Sequence, residues 1–130
     1  MKSFICAVVL VAIAGWLSAA EKEHRFLTAP VGKSVGGIGW LIRHFETPGG
    51  PAFAVLVHSG QTWQVLHASI PKDIKVEEVL GRQAVIEVRI QEFADQPHWS
   101  ASKRFVTVLQ LKTPVTTTTL KEFGLDPENL

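Results

Sequence analysis

"VGKSVGGIGWLIRHF", Val31 to Phe45, is the stretch whose reading decides the fold. Its Gly32-Lys33-Ser34 is the ending of a phosphate-binding loop, and in that case a helix should follow. The loop needs its first glycine at position 27, where the chain has Leu27. A dinucleotide fingerprint begun at Gly37-Ile38-Gly39 needs a third glycine at position 42, where the chain has Ile42. The residues that follow also oppose a helix. Ile38, Trp40 and Ile42 alternate with Gly39, Leu41 and Arg43, which is the period of a strand. The stretch therefore predicts a coiled first strand. Its glycines permit a bulge or the close approach of another backbone, and Lys33-Ser34 is a solvated lead-in.

Downstream the same period recurs. "AFAVLV", residues 52–57, and "TWQVLHASI", residues 62–70, flank "HSGQ", a hairpin signal with Ser59-Gly60 as the turn. That turn sets Leu56 opposite Trp63 and Ala52 opposite His67. "QAVIEVRIQEF", residues 83–93, places Ala84, Ile86, Val88 and Ile90 on one face and Glu87, Arg89 and Gln91 on the other. "RFVTVLQL", residues 104–111, is rich in β-branched residues and forms a fifth strand. Trp40 and Trp63 lie within apolar patterns and are expected in the core.

Two segments read as helical. "PKDIKVEEVLG", residues 71–81, has Pro71 at its start, Asp73 as a cap and Gly81 as a stop, with Ile74, Val76, Val79 and Leu80 at helical spacing. "TLKEFGLDPENL", residues 119–130, carries Thr119 and Glu122 in capping-box spacing and predicts one or two helical turns.

Upstream, the first twenty residues read as a secretory signal. Lys2 is the positive start, Ile5–Leu17 is an apolar run of thirteen residues, and Ser18 and Ala20 are small residues at a cleavage site. The run is shorter than the roughly 18 to 20 residues that cross a bilayer. Cleavage after Ala20 leaves 110 residues with twelve basic and twelve acidic side chains and no cysteine, because Lys2 and Cys6 leave with the leader. An exported chain without disulfides must hold its fold by its core alone. The neutral balance provides no global field to draw nucleic acid or anionic lipid. The division expected is 1–20 signal peptide, 21–34 irregular lead-in, 35–112 barrel domain, and 113–130 linker and short C-terminal helix.

Five strands with a helix between the third and fourth resemble the OB-fold, a small five-stranded Greek-key barrel. The pattern lies in "VGGIGWLIRHF", "FAVLVHSGQTWQVL", "VEEVLGRQAVIEVRI" and "RFVTVLQL", spanning residues 35 to 112. The chain looks similar to exported bacterial OB-fold proteins and to OB modules that bind nucleic acid. The resemblance implies an all-β fold with a ligand cleft rimmed by the loops after strands one and four.

Those loops, 43–51 and 94–104, contain Arg43, His44, Phe45, His98, Trp99, Lys103 and Arg104. Aromatic rings offer stacking surfaces and the cations offer charge for phosphate or carboxylate. Trp99, flanked by Pro97, His98 and Ser100 in a polar segment, is either a ligand platform or a cap on an open barrel end. His44 and His98 are the best-placed histidine pair for a metal, but two ligands are too few to predict a metal site. The serines lack a Gly-x-Ser-x-Gly turn and the mature chain has no thiol, so no catalytic residue and no cofactor are predicted. The expected function is a non-enzymatic, periplasmic or secreted binding module for an oligosaccharide, a peptide or a protein partner. The alternatives are single-stranded nucleic-acid binding, and an envelope scaffold docking through Phe123 and Leu125.

Overall fold

The computed structural model describes residues 23–129. The leader and its cleavage site fall on residues 1–22 and lie outside the described residues. Among the described residues no helix is long and apolar enough to cross a membrane.

The chain is mostly β. A helical turn α1 (Arg25–Thr28) precedes β1 (Ser34–Thr47), β2 (Gly50–Ser59), β3 (Thr62–Ser69), β4 (Gln83–Glu92) and β5 (Arg104–Lys112). Helix α2 (Thr117–Glu122) and a 3₁₀ turn, Pro127–Asn129, follow. The strands form one sheet that closes in a ring in the order β1-β2-β3-β5-β4. Every pairing is antiparallel except β3 with β5.

β1 makes the closure possible. Its first half, Ser34–Trp40, pairs with β4, and its second half, Trp40–Thr47, pairs with β2. Gly39 stands where the partner changes. A Cβ there would lie 3.0 Å from Val55 Cγ1 and 3.1 Å from the Leu56 carbonyl oxygen, so a bare backbone lets β2 come close.

Leu41, Val55, Val57, Leu66, Ile86, Val88, Ile90, Val106 and Val108 fill the ring. Phe26 of α1 is fully buried among them and closes one end. The lead-in is tied down by polar contacts as well. His24 Nε2–H donates to the Ile38 carbonyl (3.0 Å), and its Nδ1 accepts from the Phe26 N–H (3.1 Å). The Arg104 guanidinium donates to the carbonyls of Phe26 and Ala29. On the outside, Leu120 and Leu125 pack on Val85, with Ile38, Val115 and Phe123 around them. Gly36 makes room for Leu125, whose Cδ2 would lie 3.1 Å from an added Cβ.

Three expectations are corrected. The helix over 71–81 is not formed, and the segment is a series of turns. One α-type bond survives, Leu80 N–H to Val76 C=O (3.0 Å), and Gly81, at φ +74°, donates instead to Leu41 C=O (2.9 Å). A helix this short is marginal alone, and burial of Val76 and Val79 against the ring decides the backbone path. The β2–β3 turn is Gly60-Gln61, with Gly60 at φ +58° and Ser59 opposite Thr62. Ala54, not Ala52, therefore faces His67, a slip of two residues that leaves every side chain on its expected face. The C-terminal helix caps on Thr116, whose hydroxyl accepts from the Thr119 N–H (3.1 Å), and not on Thr119. Starting there lets Thr119 and Leu120 be buried, while Glu122 pairs with Lys112 (2.6 Å).

Candidate functional site: an aromatic patch on the outer face

Strand alternation sets this surface. Leu41, Val55, Val57, Leu66 and Ala68 point into the ring, so the residues between them point out. They form rows across three strands. His58 stands opposite Trp63, Trp40 beside Leu56 and Val65, and Ile42 beside Ala54 and His67. Trp63 is 51% exposed, and its ring meets Trp40 (5.2 Å between centroids) and His58 (4.9 Å) edge-on. Trp40 and Trp63 are thus outside the ring, not in the core as expected, because they alternate with the residues that fill it.

At the far end of β1 the register breaks. Arg43 pairs with Phe53 and Phe45 with Ala52, so His44 is an extra residue. A bulge of this kind re-aims side chains. The His44 and Phe45 rings are 5.0 Å apart, and both reach Trp99, at 6.4 and 5.1 Å. Trp99 also packs on His67 (4.9 Å) and Phe93 (5.6 Å), and Phe93 stacks on Phe105 (4.3 Å). At 36% exposure Trp99 covers the cluster while keeping part of its ring toward solvent.

The segment that carries Trp99 is held by its own polar groups. Phe93 N–H donates to Lys103 C=O (2.8 Å), Gln96 Nε2–H to Ser100 C=O (3.0 Å), and the buried Ser100 hydroxyl to Ser102 C=O (2.6 Å). The loop expected over 43–51 is mostly strand. Only Pro48-Gly49 connects β1 to β2, and the Thr47 hydroxyl closes the turn on Gly50 C=O (2.6 Å).

The structure therefore brings His44, Phe45 and Trp99 together. Arg43 is exposed at the bulge. His98 is exposed beside Trp99, and no ring contact joins it to His44 among the described residues. Lys103 faces Glu92 at 3.6 Å in solvent, and the Arg104 guanidinium donates to the lead-in carbonyls of Phe26 and Ala29. Among the described residues no group of three or more His, Cys, Asp or Glu is placed to hold a metal ion. Sequence reasoning missed His67, Phe93 and Phe105. His67 and Phe105 carried a signal of period two, each next to a core residue, Leu66 or Val106, whereas Phe93 lies just past the end of β4.

Two polar atoms stand out in the patch. His44 Nδ1 and His67 Nδ1 are buried, and neither has a hydrogen-bond partner among the described residues. Burial holds the His67 pKa below 6.5, and the nearby His44 lowers it further. His67 is thus a neutral imidazole at neutral pH. The patch offers flat ring faces to solvent, with the two unpartnered nitrogens buried beneath them, each at a cost in free energy. Compared with known proteins, the chain matches no family model, no curated protein and no solved structure.

Proposed function

We propose that the chain is an exported, non-enzymatic binding module of OB-like barrel form, and that its ligand lies along the outer face of β1–β3 between Trp99 and Trp63. The barrel reading is supported by the strand order β1-β2-β3-β5-β4, the parallel β3–β5 pair and a long first strand shared between two partners. Turns over 71–81 replace the inter-strand helix of that fold. Export rests on the leader pattern of residues 1–20.

The carrying observation is the composition of the face. Its rows contain Trp40, Trp63, Leu56, Val65 and two histidines, and no Lys, Arg, Asp or Glu. From the His58 row to the Ala52 row it runs six residues, roughly 20 Å. An uncharged track with an exposed indole at each end suits a neutral, extended ligand with flat apolar faces and hydroxyls, so an oligosaccharide is favoured. Sugar rings stack on the exposed faces of the tryptophans. Single-stranded nucleic acid is less well served, because Lys103 and Arg104 are engaged elsewhere. Docking through Phe123 and Leu125 is also less well served, because both pack on the chain's own sheet.

Tryptophan fluorescence during titration with neutral oligosaccharides tests this. Binding should change the emission, weaken at least tenfold in Trp99→Ala, and hold as salt rises. Nucleic-acid binding would instead fall steeply with salt, because phosphate contacts release counterions. If no oligosaccharide alters the emission and Trp99→Ala only lowers stability, Trp99 is a cap and the proposal fails.

A further inference from the structure

The ring closes through a short seam. β3 and β5 pair only at Ala68–Val106 and Ser69–Thr107. In the two-residue hairpin, Ser59–Thr62, Val57–Gln64 and Val55–Leu66 are the pairs that exchange hydrogen bonds. The N–H and C=O groups of Trp63 and Val65 therefore point to the other edge of β3. Among the described residues, 62–66 form no backbone hydrogen bond outside the β2 pairing. A cleft of about 500 Å³ lies between the lead-in and this hairpin, lined by Glu23, Leu27, Ser59, Thr62 and Gln64 among others.

Strand edges in soluble proteins are ordinarily blunted by charge, proline or a bulge. "TWQVL", Thr62–Leu66, has none of these: it holds no charged residue and no proline, and its register with β2 is unbroken. It is a β-prone, uncharged edge with a half-exposed tryptophan.

We propose that two copies of this chain pair antiparallel through the free edge of β3, with the two-fold axis at Gln64. The register follows from the hydrogen-bond parity. Trp63 and Val65 are the residues with free groups, and a two-fold axis at Gln64 sets Trp63 against Val65 of the second copy and Val65 against its Trp63. Both become hydrogen-bonded pairs, with Gln64 facing its own copy in the non-bonded pair between them. Each Trp–Val contact is an aromatic against a β-branched residue, a favourable cross-strand pair, and no like charges meet. The outer faces of the two copies then join into one six-stranded surface, with the two Trp63 rings near its middle.

Sedimentation of the full chain in a Cys6→Ser background tests the pairing. The parent should sediment at twice the mass of one chain. Gln64→Lys sets two ammonium groups opposite each other at an exposed position, so it should sediment as a monomer with an unchanged circular dichroism spectrum. Gln64→Cys should form a disulfide-linked dimer on mild oxidation. Gln61→Cys should not, because three residues off the axis put the two thiols roughly 20 Å apart. A parent that stays monomeric at high concentration, a Gln64→Lys variant that remains dimeric, or equal cross-linking at positions 61 and 64 would overturn the proposal. Oligosaccharide binding by a monomeric parent would leave the ligand reading intact and remove only this one.

Discussion

A methyl group added at Gly39 would stand 3.0 Å from Val55 Cγ1, 3.1 Å from Leu56 O and 3.3 Å from Val57 Cγ1. The carbonyl cannot swing aside as a side chain can, because it belongs to the strand next to β1. Gly39→Ala should therefore lower the unfolding free energy by about 1–3 kcal/mol, the range for overpacking a tight core, as read from urea denaturation. Gly36→Ala is the internal comparison. The atoms nearest its new methyl all belong to the flexible end of Leu125, the first at 3.1 Å, and it should cost less. If the two variants are equally stable, Gly39 is not what allows the approach of β2. The same scale explains why Arg43 and Arg104, both expected at the ligand rim, differ. Arg43 is exposed beside the bulge, whereas Arg104 reaches the carbonyls of Phe26 and Ala29.

At the scale of elements, α1 is held by a histidine that must stay neutral. In the folded chain burial lowers the His24 pKa below 6.5, more than its hydrogen bond to Ile38 raises it. Its Nδ1 accepts from Phe26, so a proton there would face an N–H. The unfolded chain thus takes up the proton first as pH falls. This contribution to stability is full above about 6.5 and is lost as pH falls from 6.5 through the lower folded value. His67 has the same sign. Urea unfolding repeated at decreasing pH should show falling stability, with a shallower fall in His24→Gln; an identical fall in that variant would remove His24 from the account.

The strands were legible because one face of each is buried, and burial writes a period of two into residues such as Ala84, Ile86, Val88 and Ile90. The segment 71–81 was not legible, because a short apolar run can be a helix or a turn cluster, and its contacts with the ring decide between them. The bulge at His44 depends on which residue of β2 faces it, and no local pattern records that. The candidate site was half legible for the same reason. Phe45 and Trp99 announced themselves in polar surroundings, whereas His67 joins them only once β3 lies beside β5.

For the whole molecule, the order of assembly follows from the topology. β2–β3 is a local hairpin, but β1–β4 closure joins residues as distant as Ser34 and Arg89. Such distant pairings are slow to form. Phe26 sits inside the closed ring and Arg104 ties its backbone there, so α1 can seat only after its socket exists. Arg104→Met should speed unfolding and leave the folding rate nearly unchanged in stopped-flow fluorescence, since the lost bonds form after the transition state. A slowed folding rate would place the clasp earlier and sink this order. The segment synthesised ahead of every strand is thus the last to be installed. A chain whose Arg25–Thr28 turn is held away from the ring would carry that ring unplugged, and completion of the fold would wait on release of that end.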